Sequence, residues 1–104
     1  MNARAQRKVP EETIEPWPRG ISREPELSIG QLVERLKGEF PAITQSKVRF
    51  LEDKGLVVPA RTLAGYRKYS RADIERLRYV LASQRDSYSP LDVIRDQLRA
   101  LDAG

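Results

Sequence analysis

One stretch in the middle of the chain, residues 44–69, constrains the fold most, because its pattern changes from helical to extended within a few positions. Val48 and Leu51 lie three residues apart, which is the spacing of a short amphipathic helix with one buried face. Thr44 and Ser46 are both candidate N-caps, since either hydroxyl can accept a hydrogen bond from a free amide in the first turn. The stretch therefore begins with a short helix.

The residues after this helix predict a two-stranded wing. Gly55 suits the left-handed cap that ends a helix, and the apolar run of residues 56–58 has the composition of a strand. Residues 60–65 are then expected to form a loop. Residues 66–69, Tyr-Arg-Lys-Tyr, alternate aromatic and basic side chains, as expected for a return strand. The pattern therefore predicts a wing over residues 56–69.

Positive charge is concentrated on the same stretch. Residues 42–71 contain seven basic and two acidic residues, whereas residues 72–104 contain five basic and six acidic residues. A surface with a net charge of +5 attracts the phosphate backbone of a nucleic acid. A solvated charged face is the alternative, but the coincidence with a helix and a ribbon favours nucleic-acid binding.

Composition excludes several classes of function. The 104 residues suffice for one domain, and they include neither cysteine nor histidine. Disulfides, thiolate or imidazole metal sites, and Ser-His or Cys-His catalysis are therefore excluded. Carboxylate-only chemistry stays formally open, but we find no phosphate-binding glycine loop and no nucleophile–base pair. We expect no enzyme activity, no catalytic residue, no metal and no cofactor.

The expected compartment follows from apolar patterning. No apolar run approaches the roughly 20 residues of a membrane helix, and the N-terminus lacks the apolar core of a signal peptide. We therefore expect no membrane partner and a cytoplasmic, nucleoid-associated protein.

The chain divides into a tail and a domain. Residues 1–25 contain four of the seven prolines and few apolar residues, so we expect a flexible Pro-rich tail there. Trp17 lies between two prolines and is either a packing tether or a partner-docking motif. The domain is expected to span residues 26–104, with helices over residues 28–38, 45–54, 70–86 and 90–101.

Capping patterns mark where the other helices begin. Ser28 with Gln31 forms a capping box, and Ser70 is a candidate cap for the helix after the wing. Ser89 followed by Pro90 predicts the start of the last helix, with serine at the cap and proline at the first position.

The last helix carries an apolar stripe that serves either as core or as a seam for a partner helix. Its members are Leu91, Ile94, Leu98 and Leu101. We favour core for the stripe as a whole and expect Leu98 and Leu101 to be the most exposed members. Two leucines are too few for a stable interface, so we expect a monomer or a weak dimer in solution.

The predicted architecture is a winged helix-turn-helix, a mainly α fold of about four helices with a small two-stranded wing. The second helix of such a unit enters the major groove of DNA. The candidate base-reading residues lie at its N-terminus: Thr44, Gln45, Ser46 and Lys47. Arg49 follows one turn later, placed for phosphate or base. In the wing, Lys68 is a candidate backbone contact, and Arg61 is either a minor-groove contact or a plain exposed arginine.

The stretch from Lys47 to Val80 resembles the winged-helix domain of MerR-type transcription regulators. The resemblance covers residues 27–101 and depends on several motifs at their spacing: Arg49-Phe50, Glu52, Gly55-Leu56, Pro59, Arg61, Gly65-Tyr66-Arg67-Lys68-Tyr69 and Asp73-Ile74 to Leu77. Within the family, the chain is most similar to the actinobacterial group associated with regulating cell-division genes. That narrower resemblance uses Glu39-Phe40-Pro41 and Gln84-Arg85-Asp86.

The resemblance implies a function and a set of partners. It implies a homodimer on an inverted repeat of promoter DNA, which bends and untwists the duplex so that RNA polymerase can use an overlong spacer and activate transcription. It also implies backbone contacts from Arg49, Tyr66 and Arg67. The family often has tyrosine where this chain has Phe50 and Leu51, so we expect these two side chains to pack.

Two other functions stay open. One is a DNA-architectural module of the recombination-directionality type, which uses a related winged helix and would bind direct repeats. The other is a protein-interaction domain whose basic face docks an acidic partner, which would show no preference among DNA sequences.

Overall fold

The computed structural model describes residues 15–104, so the first part of the expected tail, residues 1–14, lies outside the described residues. The described chain forms four helices and one two-stranded antiparallel sheet. The helices are α1 (Ile29–Lys37), α2 (Gln45–Asp53), α3 (Arg71–Ser87) and α4 (Leu91–Ala103), and the strands are β1 (Ala60–Arg61) and β2 (Arg67–Lys68). The predicted fold, a mainly α winged helix-turn-helix, is confirmed.

Side-chain caps begin the first three helices. The Ser28 hydroxyl accepts from the Gln31 amide at 3.1 Å, and Gln31 Oε1 accepts from the Ser28 amide at 2.8 Å, which is the predicted capping box. Of the two candidates for α2, Thr44 is the cap. Ser70 forms a second reciprocal box with Asp73 at the start of α3. These local bonds satisfy amides that have no partner inside the helix.

The start of α4 differs from the predicted one. Pro90 is the N-cap, without a side-chain hydrogen bond, and Ser89 does not cap the helix. The Ser89 amide instead donates to the Ser83 carbonyl at 3.3 Å, after Tyr88 has turned into the left-handed region with φ of 51°. Ser89 therefore belongs to the turn that closes α3, and this turn leaves Pro90 to begin the next helix.

The core lies between α1, α2, α3 and α4. Its fully buried side chains include Leu32, Leu36, Val48, Leu51, Leu56, Leu77, Val80 and Ile94. Leu98 also belongs to it with 1% exposure, so the expectation that Leu98 is exposed was wrong. α4 packs back along α3 and buries this position, while Leu101 is partly buried at the edge of the core.

The first strand of the wing lies later than predicted. Leu56 and Val57 are buried in the core and belong to no strand. The physical reason is the turn at Gly55, which has φ of 79°, and the Leu56 amide donating to the Leu51 carbonyl at 3.0 Å. This turn directs both apolar side chains into the core before the chain extends into β1.

The base of the wing is attached to the segment before α1. Tyr69 and Leu27 exchange both backbone hydrogen bonds, with Tyr69 donating at 2.7 Å and Leu27 at 2.9 Å. The Tyr69 side chain is fully buried, and this burial raises the pKa of its hydroxyl to about 12. The ribbon is therefore fixed at its base by backbone bonds and by a buried aromatic ring.

Residues 15–25 pack against the last two helices. The Trp17 ring meets the Tyr79 ring edge-on at 5.4 Å between centroids. The Trp17 amide donates to Asp102 Oδ1 at 3.0 Å, and Arg76 Nη1 donates to the Trp17 carbonyl at 2.7 Å. Trp17 therefore holds the position of a packing tether, which was one of its two interpretations.

Candidate nucleic-acid interface

The first turn of α2 presents a short row of polar side chains. Val48 and Leu51 occupy the buried face of the helix, so the residues at its N-terminus lie on the opposite side or the flanks. Thr44, Gln45 and Ser46 are exposed, and Lys47 is half-exposed. These are the four candidate base-reading residues, and the structure brings them together in one turn.

The cap restricts what Thr44 can do. Its hydroxyl oxygen accepts from the Lys47 amide at 3.1 Å, which leaves the hydroxyl hydrogen to donate outward. Gln45 lies over α1, where a Cβ built on Gly30 would be 3.5 Å from Gln45 Nε2. The side chain of Gln45 therefore lines an open groove between α1 and the first turn of α2.

Phe50 lies on the surface of α2 between two lysines. The Lys47 and Lys54 ammonium groups lie 5.7 and 5.5 Å from the ring centroid, within range of a cation–π attraction. The ring is 44% exposed, so the expectation that Phe50 packs was wrong, whereas Leu51 is buried as expected. Leu51 occupies the buried face, and the neighbouring position is left on the surface.

Glu52 pairs with an arginine on each strand of the wing. Glu52 Oε1 accepts from Arg67 Nε at 2.6 Å, and Glu52 Oε2 lies 3.3 Å from Arg61 Nη2. Arg61 Nη1 also donates to the Gly65 carbonyl at 3.0 Å. The hydrogen bond to Glu52 raises the pKa of the Arg67 guanidinium, so Arg67 stays positively charged. Two of the candidate DNA-contacting arginines, Arg61 and Arg67, are thus already paired with a carboxylate of the protein itself.

The tip of the wing is a tightly bonded turn. The Thr62 amide donates to the Tyr66 carbonyl at 2.9 Å, and the Tyr66 amide donates to the Thr62 hydroxyl at 3.0 Å. Gly65 has φ of 92°, which only glycine adopts without strain. Tyr66 and Leu63 project into solvent from this turn. Tyr66 is therefore placed to meet a ligand, while Lys68 on β2 is half-buried.

Arg49 completes the set of candidate residues. It lies on α2, partly exposed, and forms no ion pair with any residue that the structure describes. Its guanidinium therefore differs from those of Arg61 and Arg67, which share a carboxylate. A role for Arg49 in contacting phosphate or base stays a prediction.

The pairing role of Glu52 was missed in the sequence. Glu52 and Asp53 are the two acids of this basic stretch, and only Glu52 belongs to the motifs of the family resemblance, but its position in the sequence does not show which residues it pairs with. The pairing appears only when the wing folds back across α2. Glu52 then faces the wing, while Asp53 lies on the exposed side of the helix.

Within residues 15–104, no helix is both long and apolar enough to cross a membrane. The same part of the chain contains no group of three or more acidic side chains that could hold a metal ion. The candidate interface is thus made of cations, hydroxyls, an amide and aromatic rings.

The fold and this surface define a winged helix-turn-helix protein. The chain belongs to the MerR HTH family of regulatory proteins, whose sequence pattern matches residues 27–101.

Named relatives agree with the family. Uncharacterized HTH-type transcriptional regulators of Mycobacterium tuberculosis and Mycobacterium bovis are each 51% identical to this chain over 74 residues. That match covers 71% of this chain but only 30% of either relative. The HTH-type transcriptional regulator TnrA of Bacillus subtilis is 33% identical over 70 residues, covering 67% of this chain and 59% of TnrA. The chain therefore spans about a third of the mycobacterial relatives.

Proposed function

We propose that this chain binds double-stranded DNA sequence-specifically and regulates transcription at a promoter element. The observation that carries the proposal is the exposed first turn of α2, next to a wing that is bonded to the same helix. Membership of the MerR HTH family supports it. The protein would act on chromosomal DNA in the cytoplasm.

Base reading is assigned to the first turn of α2. Gln45 carries both a donor and an acceptor, which matches the major-groove edge of adenine. Lys47 donates to the two acceptors of guanine, and the hydroxyls of Thr44 and Ser46 suit several bases. Because these four side chains share one turn, they would follow consecutive base pairs in the major groove.

Backbone contacts are assigned to Arg49 and to the wing. Arg49 has no ion pair among the described residues, so its guanidinium is available for a phosphate. Tyr66 projects from the wing tip and offers a phenolic hydroxyl. Lys68 adds a positive charge on β2. Contacts of this kind position the protein without reading sequence.

The mode of action is also part of the proposal. Two copies would occupy an inverted repeat, with half-sites about one helical turn apart. By analogy with the family, they would bend and untwist the duplex and so activate RNA polymerase indirectly. Such distortion has a deformation cost, which the phosphate contacts must offset.

Selection of bound sequences from a pool of random duplexes tests the function. We expect the 104-residue chain to enrich one motif that is repeated in inverted orientation. Gln45→Ala and Lys47→Ala should each relax the motif at a few positions, with a cost of about 1–3 kcal/mol on the best site for a bidentate contact.

Lys37→Ala is the matched control, because Lys37 lies in the last turn of α1 and pairs with Glu34 at 3.9 Å. It should leave the motif unchanged. A pool without enrichment would overturn the proposal. Direct repeats in place of inverted ones would assign the chain to the DNA-architectural class.

A further inference from the structure

The wing is too short to hold its own position. Each strand has two residues, paired as Ala60 with Lys68 and Arg61 with Arg67. An isolated two-stranded ribbon is marginal at best, even when it is longer than this. The bonds between Tyr69 and Leu27 hold the base of the ribbon against the segment before α1, so the direction of the ribbon relative to α2 depends on contacts with α2 itself.

Glu52 supplies such a contact to both strands at once. Its two carboxylate oxygens are divided between Arg67 on β2, at 2.6 Å, and Arg61 on β1, at 3.3 Å. The Glu52 side chain is 18% exposed and the Arg67 side chain 26%, so this pair is screened less than a surface pair, whereas the Arg61 side chain is 47% exposed. Through Gly65, Arg61 extends the same network to the turn at the wing tip.

We propose that Glu52 is a positioning residue that fixes the wing against α2, and so sets the distance between the base-reading turn and the phosphate contacts of the wing. The inference rests on the proposed function, since it concerns how that site is held. An acidic side chain repels DNA by its charge, but in this proposal Glu52 favours recognition because it holds the wing in place. Tyr66 and Lys68, which do not bond to Glu52, are then wing groups placed to meet phosphate, beside the N–H groups of Arg61 and Arg67 that Glu52 does not use.

Asp53 provides a matched control for charge. It is the next residue on the same helix, it is exposed, and it forms no ion pair with a described residue. Glu52→Ala and Asp53→Ala each remove one negative charge from the same region. Both should therefore raise the affinity for a scrambled duplex to a similar extent. Only Glu52→Ala should loosen the wing.

Two measurements separate these effects. The first is the ratio of the affinities for the selected and the scrambled duplex. This ratio should fall about tenfold in Glu52→Ala, which is the discrimination given by one good base contact. It should stay unchanged in Asp53→Ala. The second is hydrogen exchange of the Thr62 amide in the DNA-free protein. It should become faster in Glu52→Ala alone.

Glu52→Asp guards against a general loss of structure. It keeps the charge but shortens the side chain by one methylene, so it should loosen the wing and lower the ratio without raising the affinity for scrambled DNA. The amide of Leu32, whose side chain is fully buried in the core, serves as the probe for loss of structure outside the wing. If Glu52→Ala accelerates exchange there as well, Glu52→Asp decides the question.

Identical ratios and identical Thr62 exchange in Glu52→Ala and Asp53→Ala would overturn the inference. If the wild-type chain prefers no duplex, the proposed function fails, and the exchange measurement still decides the role of Glu52. Faster exchange confined to the wing would then sustain the positioning role, and unchanged exchange would reject it.

Discussion

Arg76 and Asp102 join α3 to the last turn of α4 through two hydrogen bonds, with Arg76 Nη1 donating to Oδ1 at 2.6 Å and Nη2 donating to Oδ2 at 3.2 Å. The same Oδ1 accepts from the Trp17 amide. Three parts of the chain that are distant in sequence therefore meet at one carboxylate. These residues lie on α3, on α4 and in the segment before α1, and none of them belongs to the turn of α2 that is proposed to read bases.

Asp102→Ala should destabilise the protein. Arg76 is only 14% exposed, so removing its partner leaves a largely buried cation unpaired, and the Trp17 amide loses its acceptor as well. We expect the free energy of unfolding to fall by about 1–3 kcal/mol in urea denaturation.

Asp96→Ala is the control for Asp102→Ala. Asp96 pairs with Arg99 at 3.9 Å, and both side chains are at least 70% exposed. A pair of this kind contributes less than about 1 kcal/mol. Equal losses of stability in the two variants would mean that the tether adds nothing to the fold.

Arg49→Ala should weaken binding to all duplexes alike, because phosphate contacts carry no sequence information. The slope of log affinity against log salt should become shallower by about 1, the value for one lost phosphate contact. Arg99→Ala removes the same charge from an exposed position on α4 and should leave the slope unchanged. A changed sequence preference with unchanged non-specific affinity would assign Arg49 to base reading instead.

Tyr69 should make the fold sensitive to alkali. Burial raises the pKa of its hydroxyl from 10.0 to about 12, so the folded state holds this proton more tightly than the unfolded state does. The stability that follows from this is complete below pH 10 and is lost as the pH rises to about 12.

Urea denaturation at a series of alkaline pH values measures this loss. Tyr69→Phe removes the titrating group and keeps the ring, so the variant should lose less stability than the wild type over the same range. Phenolate absorbance should show one fewer late-titrating tyrosine in the variant. Parallel pH dependence in the two proteins would show that the hydroxyl of Tyr69 titrates normally.

The helices could be predicted from the sequence because their signals are local. Ser28, Thr44 and Ser70 are hydroxyl caps followed by apolar residues at helical spacing, and each lies at the observed start of a helix. The first strand of the wing could not be placed correctly from the sequence. Leu56 and Val57 have the composition of a strand, but the turn that follows α2 places them in the core. Burial depends on the whole fold, and composition does not report it.

The same distinction applies to the candidate site. The exposed turn of α2 followed from the buried spacing of Val48 and Leu51. The partner of Arg61 and Arg67 could not be predicted in this way, since the wing must fold across α2 before Glu52 can contact either arginine. The sequence therefore predicted which residues carry charge, but not which charges are already paired.

The assembly prediction concerns this 104-residue chain. With Leu98 buried and Leu101 partly buried, α4 offers Val93 as its one large exposed apolar side chain within the described residues. Stable interfaces bury about 1,200–2,000 Å², so we expect a monomer or a weak dimer in free solution. Sedimentation at tens of micromolar should show a monomer alone and two copies on a duplex with two half-sites. A tight dimer without DNA would contradict this prediction.

The most direct test of sequence-specific recognition is the ratio of two affinities at one salt concentration. One duplex carries the selected motif, and the other has the same length and composition in scrambled order. We predict that the chain binds the selected duplex at least about tenfold more tightly, because one lost bidentate contact already costs about 1–3 kcal/mol. Equal affinities for the two duplexes would contradict the proposal that the first turn of α2 reads bases.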